Sequence, residues 1–473
     1  MSRFTRSVIK AAPVAALLLL TGCDTLGLTD LGDEIGSWFD TGGHKSNLRG
    51  ERISLNNLDE SLKPDASIAN VAVKLPAPYV NAEWPQPGGY ASNAMYHLQA
   101  NGPLRQVWDA DAGKGSDANS HLAAAPVVAG GRIFTLDAEA HVYVFSAANG
   151  KALWDKRLAP KNGTDAPTLW GMLGKPNTID PNSGMGGGIA YDDGKIFVTS
   201  GFGVLICMDA ASGRDIWRHD IGIPIVNAPV VNGGRIFVST HDNHFFALAE
   251  ADGRQLWDHQ GITESAGIVA STSAAVVGET VIAPYSSGEV FALRAQNGQV
   301  LWSDVLSHSG QVTALSELDG IVGRPVIDRG QVYAISHSGV MAAESLNTGE
   351  RLWSRDIGGT NTPWAAGDYV YVLTGDGQVL CLTRKEGRVR WIHQLPQFQN
   401  EDLKTRPIDW TGPVLVSNKL IVLSSDGFAE ALSPYTGQLL GRVAIAGGTN
   451  IAPVVAGGVM YIYTNDAELV ALR

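Results

Sequence analysis

Apolar and polar residues alternate in short bursts along most of this chain, and the bursts recur. Residues 234–257 read GRIFVSTHDNHFFALAEADGRQLW: an apolar alternation, a polar turn, a second alternation, then a glycine with tryptophan four positions later. Alternation of period two predicts half-buried strands, and the glycine- and asparagine-rich breaks between them predict hairpin turns. The same unit returns with glycine/tryptophan pairs at Gly150/Trp154, Gly213/Trp217, Gly253/Trp257, Gly298/Trp302, Gly349/Trp353 and Gly387/Trp391. A seventh copy has Gly437 with Gly441 in the place of tryptophan, and an eighth block, residues 451–473, stops before either.

Each unit predicts four short strands, exemplified by APVV, RIFV, FALA and QLW. A four-stranded sheet of this size cannot bury both faces alone, whereas stacking such sheets radially buries them and leaves only short edges. The missing last strand of the eighth block has a counterpart near the other end, Leu104-Arg105-Gln106-Val107-Trp108. Pairing it with residues 469–472 closes the ring. The expected fold is all-β: an eight-bladed β-propeller of four-stranded blades over residues 104–473, closed by strands from both ends of the repeat region.

Ahead of the repeats, MSRFTRSVIKAAPVAALLLLTGC joins a basic start to an apolar stretch too short to span a bilayer, the pattern of a secretory signal. Its end, Leu20-Thr21-Gly22-Cys23, resembles a bacterial lipobox, which implies cleavage after residue 22 and lipidation of Cys23. Asp24 resembles an inner-membrane retention signal of enteric bacteria, so the expected address is the outer membrane, with inner-membrane retention as the alternative. Residues 23–82 read as a lipidated start and polar tether, with a short helix around 48–62, and 83–103 as an irregular, aromatic- and proline-rich lead-in packed on the propeller.

Composition agrees with a turn-rich all-β chain: 55 glycines, 12 tryptophans and only 17% charged residues among 473. The formal charge is −12; without Arg3, Arg6 and Lys10 of the leader, 32 basic side chains face 47 acidic ones, or −15. An acidic surface disfavours a phosphate backbone, so no nucleic-acid partner is expected.

Candidate chemistry is sparse. After Cys23 only Cys207 and Cys381 remain, each six residues before its blade glycine and in opposite blades of the expected ring, so both read as buried thiols rather than a disulfide. His241-Asp242-Asn243-His244 could hold a metal but reads as a hairpin turn without further ligands. Met185-Gly186-Gly187-Gly188 could suggest a phosphate loop but opens no helix. No nucleophile elbow, zincin motif or paired-carboxylate site can be named, so no catalytic, cofactor or metal site is expected.

The run Asp209-Ala210-Ala211-Ser212-Gly213 with Trp217 resembles the tryptophan-docking motif of quinoprotein-type propellers. The resemblance implies that Trp108, Trp154, Trp217, Trp257, Trp302, Trp353 and Trp391 pack between neighbouring blades. Within that group the lipobox, the tether, the single propeller and the lead-in EWPQPGGYASNAMYHL resemble the BamB lipoproteins of the outer-membrane β-barrel assembly (BAM) machinery, particularly those of α-proteobacteria. This implies a scaffold, not an enzyme, that binds a POTRA domain of BamA, works beside the other BAM subunits and handles nascent outer-membrane proteins. The long connections between blades, at 156–186, 259–272, 304–322 and 393–411, should share one face. Leu315-Ser316-Glu317-Leu318-Asp319 resembles the family's acidic contact run, implying Glu317 and Asp319 as contacts, and Gly267-Ile268-Val269-Ala270 implies Ile268 and Val269. The arginine that accompanies them in the enteric pattern is missing. The alternatives are a periplasmic quinoprotein oxidoreductase using pyrroloquinoline quinone and calcium, and an adaptor of another envelope complex.

Overall fold

Alternation drives strand formation because each small sheet has an apolar face on both sides to cover. In the computed structural model, which describes residues 62–117, 120–158, 186–262, 272–307 and 320–473, eight four-stranded antiparallel sheets form an eight-bladed propeller. Blades 1 to 7 cover residues 127–157, 187–220, 230–260, 275–305, 326–356, 364–394 and 410–444, each in simple up-and-down order. Blade 8 takes three strands from 454–472 and its fourth from Gln106–Asp111, which pairs antiparallel with Glu468–Leu472. The expected closure is therefore present, with the N-terminal strand starting at Gln106 and running past Trp108 to Asp111. Asp109, Ala110 and Asp111, paired with Val470, Leu469 and Glu468, carry the strand on beyond the tryptophan that marks it in the sequence.

Second and third strands are almost wholly buried, as in Ile236 and Ala247, because each blade covers its neighbours on both sides. Fourth strands alternate between protected and exposed positions at the rim. All eight fourth strands also carry a β-bulge one residue before the tryptophan position, at Leu256 in blade 3 and at Leu440 in blade 7. A bulge re-aims the side chain that follows it, and here that is the side chain facing the next blade.

The inner strands would leave a row of unpaired backbone groups around the axis. The lead-in satisfies them, making one circuit that touches all eight blades in order. The Asn81 carbonyl accepts from Gly457 of blade 8, and Trp84 exchanges backbone bonds with Val128 of blade 1 at 2.6 and 2.9 Å. The Pro85 carbonyl accepts from Tyr191 of blade 2, and the Gln86 side chain donates to Val231 of blade 3 at 2.7 Å. The Ala91 and Ser92 carbonyls accept from Val276 and Ile327 of blades 4 and 5. Trp364 of blade 6 donates to the Tyr96 carbonyl, Leu98 brackets Leu415 and Ser417 of blade 7, and Asn101 returns to Gly458 of blade 8. Buried backbone groups demand such partners, and an irregular segment can meet eight differently oriented edges where a regular strand could not.

Among the described residues, contact with the propeller is already present at Leu62, well before residue 82, where the tether is expected to end. Asp65 caps the short 3-10 turn Ala66–Ile68 and pairs with Arg388 at 2.7 Å, and Leu62 lies against the apolar cluster of blades 5 and 6. Low apolar content hid this segment, because it is held by ionic and backbone contacts. The short helix expected around 48–62, the signal segment 1–22 and Cys23 lie outside the described residues, as does the 23–61 part of the tether. A small hairpin, Phe398–Asn400 with Thr405–Pro407, adds structure to the connection between blades 6 and 7.

Candidate functional site

At the seams between blades, the repeat's glycine and tryptophan meet across sheets rather than within one. Gly213 begins after an Asp209 turn in which the carboxylate accepts from the Ser212 amide and hydroxyl at 2.8 and 2.6 Å. The glycine has φ of +69°, a conformation open to glycine at little cost, and a methyl placed there would fall 2.8 Å from the Trp154 ring of the preceding blade. The same ring-on-glycine contact joins Trp108 to Gly150, Trp217 to Gly253, Trp257 to Gly298, Trp302 to Gly349, Trp353 to Gly387 and Trp391 to Gly437. Six of these indoles donate to the carbonyl three residues before the glycine: Trp154 to Ala210, Trp217 to Glu250, Trp257 to Ala295, Trp302 to Leu346, Trp353 to Arg384 and Trp391 to Pro434, at 2.8–3.2 Å. Trp108 instead leans on Tyr461, 5.9 Å between ring centroids.

The four residues expected to touch a partner, Ile268, Val269, Glu317 and Asp319, lie outside the described residues. The structure does describe the roots of the two connections that carry them. These roots are tied together: the Thr272 hydroxyl, closing the connection into blade 4, donates toward the Ile321 and Val322 carbonyls, closing the connection into blade 5, at 2.9 and 2.8 Å. On the entry side, the Ile262 amide donates to the Glu289 carboxylate at 2.8 Å and its carbonyl accepts from Asn243 at 2.6 Å. Asn243 also accepts from Ser286 of the next blade, so blades 3 and 4 and the connection between them meet at this point. Ile262 itself is 62% exposed. Beneath it, His259 Nδ1 and the Tyr285 hydroxyl lie 2.7 Å apart; burial pushes the imidazole down and the phenol well up, so both stay neutral near pH 7. The platform under the two connections is thus cross-linked by hydrogen bonds, with the exposed Ile262 beside it. Sequence reading missed Thr272 and Ile262 because a threonine and an isoleucine beside a loop carry no motif.

The remaining candidates have structural places. Cys207 and Cys381 are free, buried, and paired in register with Trp217 and Trp391; burial pushes the Cys207 thiol up to about 12, which leaves it unreactive. His241 to Asn243 form the turn between Arg235–Ser239 and His244–Ala249, and His244 faces Asp242 and Asp258 at 3.8 and 3.6 Å. Gly187 and Gly188 begin an inner strand, where a methyl on Gly188 would meet Ala228 at 2.4 Å. They serve close packing of blades 2 and 3 rather than a phosphate.

On the axis lies a cavity of about 530 Å³, lined on one side by Trp84 and Asn93 of the lead-in and elsewhere by Arg324, Thr360 and Trp410. Burial lowers the Arg324 guanidinium to about 10. Among the described residues no three His, Cys, Asp or Glu side chains converge as a cation site. Asp409 is the one carboxylate in this lining, so the described residues supply no carboxylate cluster to hold calcium beside a quinone.

The family model for outer membrane protein assembly factor BamB matches residues 99–171 and 162–393. BamB of Salmonella typhimurium is 26% identical over 370 residues, 77% of this chain and 88% of the relative. An uncharacterized protein of Rickettsia prowazekii is 29% identical over 320 residues, 66% of this chain and 72% of the relative. Among solved structures, BamB from Moraxella catarrhalis superposes with a TM-score of 0.62 at 18% identity, over 78% of this chain and 100% of that one. Quinohemoprotein alcohol dehydrogenase from Comamonas testosteroni reaches 0.61 at 12% identity, over 82% and 80%. The two structural likenesses share the fold alone and do not separate scaffold from enzyme. The family model matches more than half of the chain, from residue 99 through blades 1 to 6: the chain belongs to the family of the outer membrane protein assembly factor BamB.

Proposed function

We propose that this chain is a non-catalytic scaffold of the BAM machinery, anchored through a lipid on Cys23 to the periplasmic face of the outer membrane. It binds a POTRA domain of BamA through the connections into blades 4 and 5, and through BamA aids the assembly of β-barrel outer-membrane proteins. The observation that carries this reading is the tie of Thr272 to Ile321 and Val322, which holds the roots of both connections as one platform. A protein-binding surface gains from such preorganisation, since less loop freedom is lost on association. Ile262 at the rim, with Ile268 and Val269 beyond it, supplies apolar area, and Glu317 and Asp319 supply charge. The alternatives of an oxidoreductase or another envelope adaptor have no comparable feature in their favour.

The test is co-purification from gently solubilised envelopes with a C-terminal tag, comparing wild type with Glu317→Lys plus Asp319→Lys. BamA should be retained by the wild type and lost from the double variant. Retention by both would keep the role and move the site. Absence of BamA from both, with the protein folded and membrane-bound, would sink the scaffold reading.

A further inference from the structure

One seam differs from the other seven. Blade 7 keeps the bulge at Leu440 that aims the next residue at the neighbouring blade, but that residue is Gly441, and a methyl built on it would meet nothing within 4 Å. Blade 8 offers no hairpin turn to receive an indole, because its fourth strand arrives from Gln106–Asp111. The result is an apolar groove of about 580 Å³, floored by Ala429, Ala431, Met460, Ile462 and Leu472 with Leu104 at one end. The outer strand beside it, Leu439–Ala444, is exposed at all six positions, unlike every other fourth strand of the propeller.

A second difference points the same way. Two residues after the tryptophan, blades 1, 4 and 5 place polar side chains that reach across the seam: Lys156 donates to the Gly213 carbonyl at 2.9 Å, Asp304 pairs with Arg351 at 2.7 Å, and Arg355 donates to the Gly387 carbonyl at 2.7 Å. Blade 7 has Val443 there, 68% exposed. Among the described residues the seam is thus neither filled by an indole nor latched by a polar side chain, and its rim carries Val443.

We infer that the groove between blades 7 and 8 is a docking site for an extended peptide segment that inserts an aromatic side chain, tryptophan above all. The occupant is identified by the molecule itself. At seven seams an indole carried on an extended strand lies between its own blade and the glycine turn of the next; at the eighth the apolar walls remain without that turn, so the guest that fits them is an aromatic side chain on an extended segment supplied from outside. The outer edge of Leu439–Ala444, which pairs with no further strand among the described residues, gives the incoming segment a backbone to pair with, as in strand addition, while the groove takes its side chain. The site lies on blades 7 and 8, and the inference does not rest on the loop platform of blades 3 to 5.

The test uses a fluorescein-labelled peptide copying residues 298–305, GQVLWSDV, and the full chain in detergent, read by fluorescence anisotropy. Binding should saturate, and the peptide with alanine for its tryptophan should bind at least tenfold more weakly. Gly441→Trp, which fills the groove from within, should weaken binding at least tenfold while melting no lower than wild type. Val443→Lys, at an exposed rim position, should weaken it severalfold without unfolding. Equal binding of the two peptides, or full binding by Gly441→Trp, would overturn the inference. So would a dimer in sedimentation that Gly441→Trp dissolves, since the groove would then belong to a second copy.

Discussion

The seam between blades 4 and 5 and the seam between blades 7 and 8 are built from the same strands in the same order, yet one is closed and the other open. In the first, Trp302 lies on Gly349 and donates to Leu346 at 2.8 Å, and Asp304 crosses to Arg351. In the second, Gly441 and Val443 occupy those two positions and a groove remains. The lesson is that strand pairing makes a blade but side chains make the ring. Backbone bonds run within each sheet, so cohesion between neighbouring sheets depends on what fills the seam. The open seam still holds because blade 8 is pinned elsewhere, by Gln106–Asp111 and by the Asn81 and Asn101 backbone contacts of the lead-in.

Removing the filler from a closed seam should have the largest effect. Trp302→Ala should destabilise by about 3–5 kcal/mol, the usual cost of emptying a core aromatic site, read as a fall in denaturant midpoint. A loss under about 1 kcal/mol would mean that seams are not held by their indoles. The converse change is smaller but more discriminating. Gly349→Ala puts a methyl 2.6 Å from the Trp302 ring at φ of +69° and should cost upwards of about 1 kcal/mol, whereas Gly441→Ala should stay within about 0.5 kcal/mol of wild type. Equal costs would erase the difference between the seams.

The closed seam also holds a buried carboxyl. Glu344, fully buried on blade 5, is pushed up to about 9, first by burial and then by Asp304 across the seam. At the open seam's blade, Glu430 has Arg442 at 3.7 Å. An unfolded glutamate titrates near about 4.3, so folding takes up a proton at Glu344 between the two values. The associated stability is complete below about 4.3 and is lost as pH rises toward about 9. Glu344→Gln removes that dependence. Its thermal midpoint should fall less than that of wild type between pH 5.5 and pH 8.5, by a few degrees; parallel falls would show that the carboxyl is paired or hydrated.

The blades were legible because they repeat. Alternation, hairpin glycines and the Gly/Trp spacing each recur, and one consistent fold explains every copy. The fate of Leu104 to Trp108 was legible for the same reason: an orphan outer strand at one end matched a missing one at the other. The candidate site was much less so. Its loop acids stand out only through resemblance, and the residues that join the two roots, Thr272 with Ile321 and Val322, lie apart in sequence and carry no signature. Gly441 could be seen as a departure from the repeat, but the groove behind it could not.

The sequence by itself determined the number of blades, the strand order within each and the manner of closure, because these follow from local periodicity and from counting repeats. Only the tertiary structure decided three other things. The lead-in passes all eight inner edges in one circuit, the bulges aim the fourth-strand side chains across the seams, and one seam stays open. Each depends on which backbone groups and surfaces remain unsatisfied after the blades have paired, a property of the assembled ring that no single stretch of the chain carries.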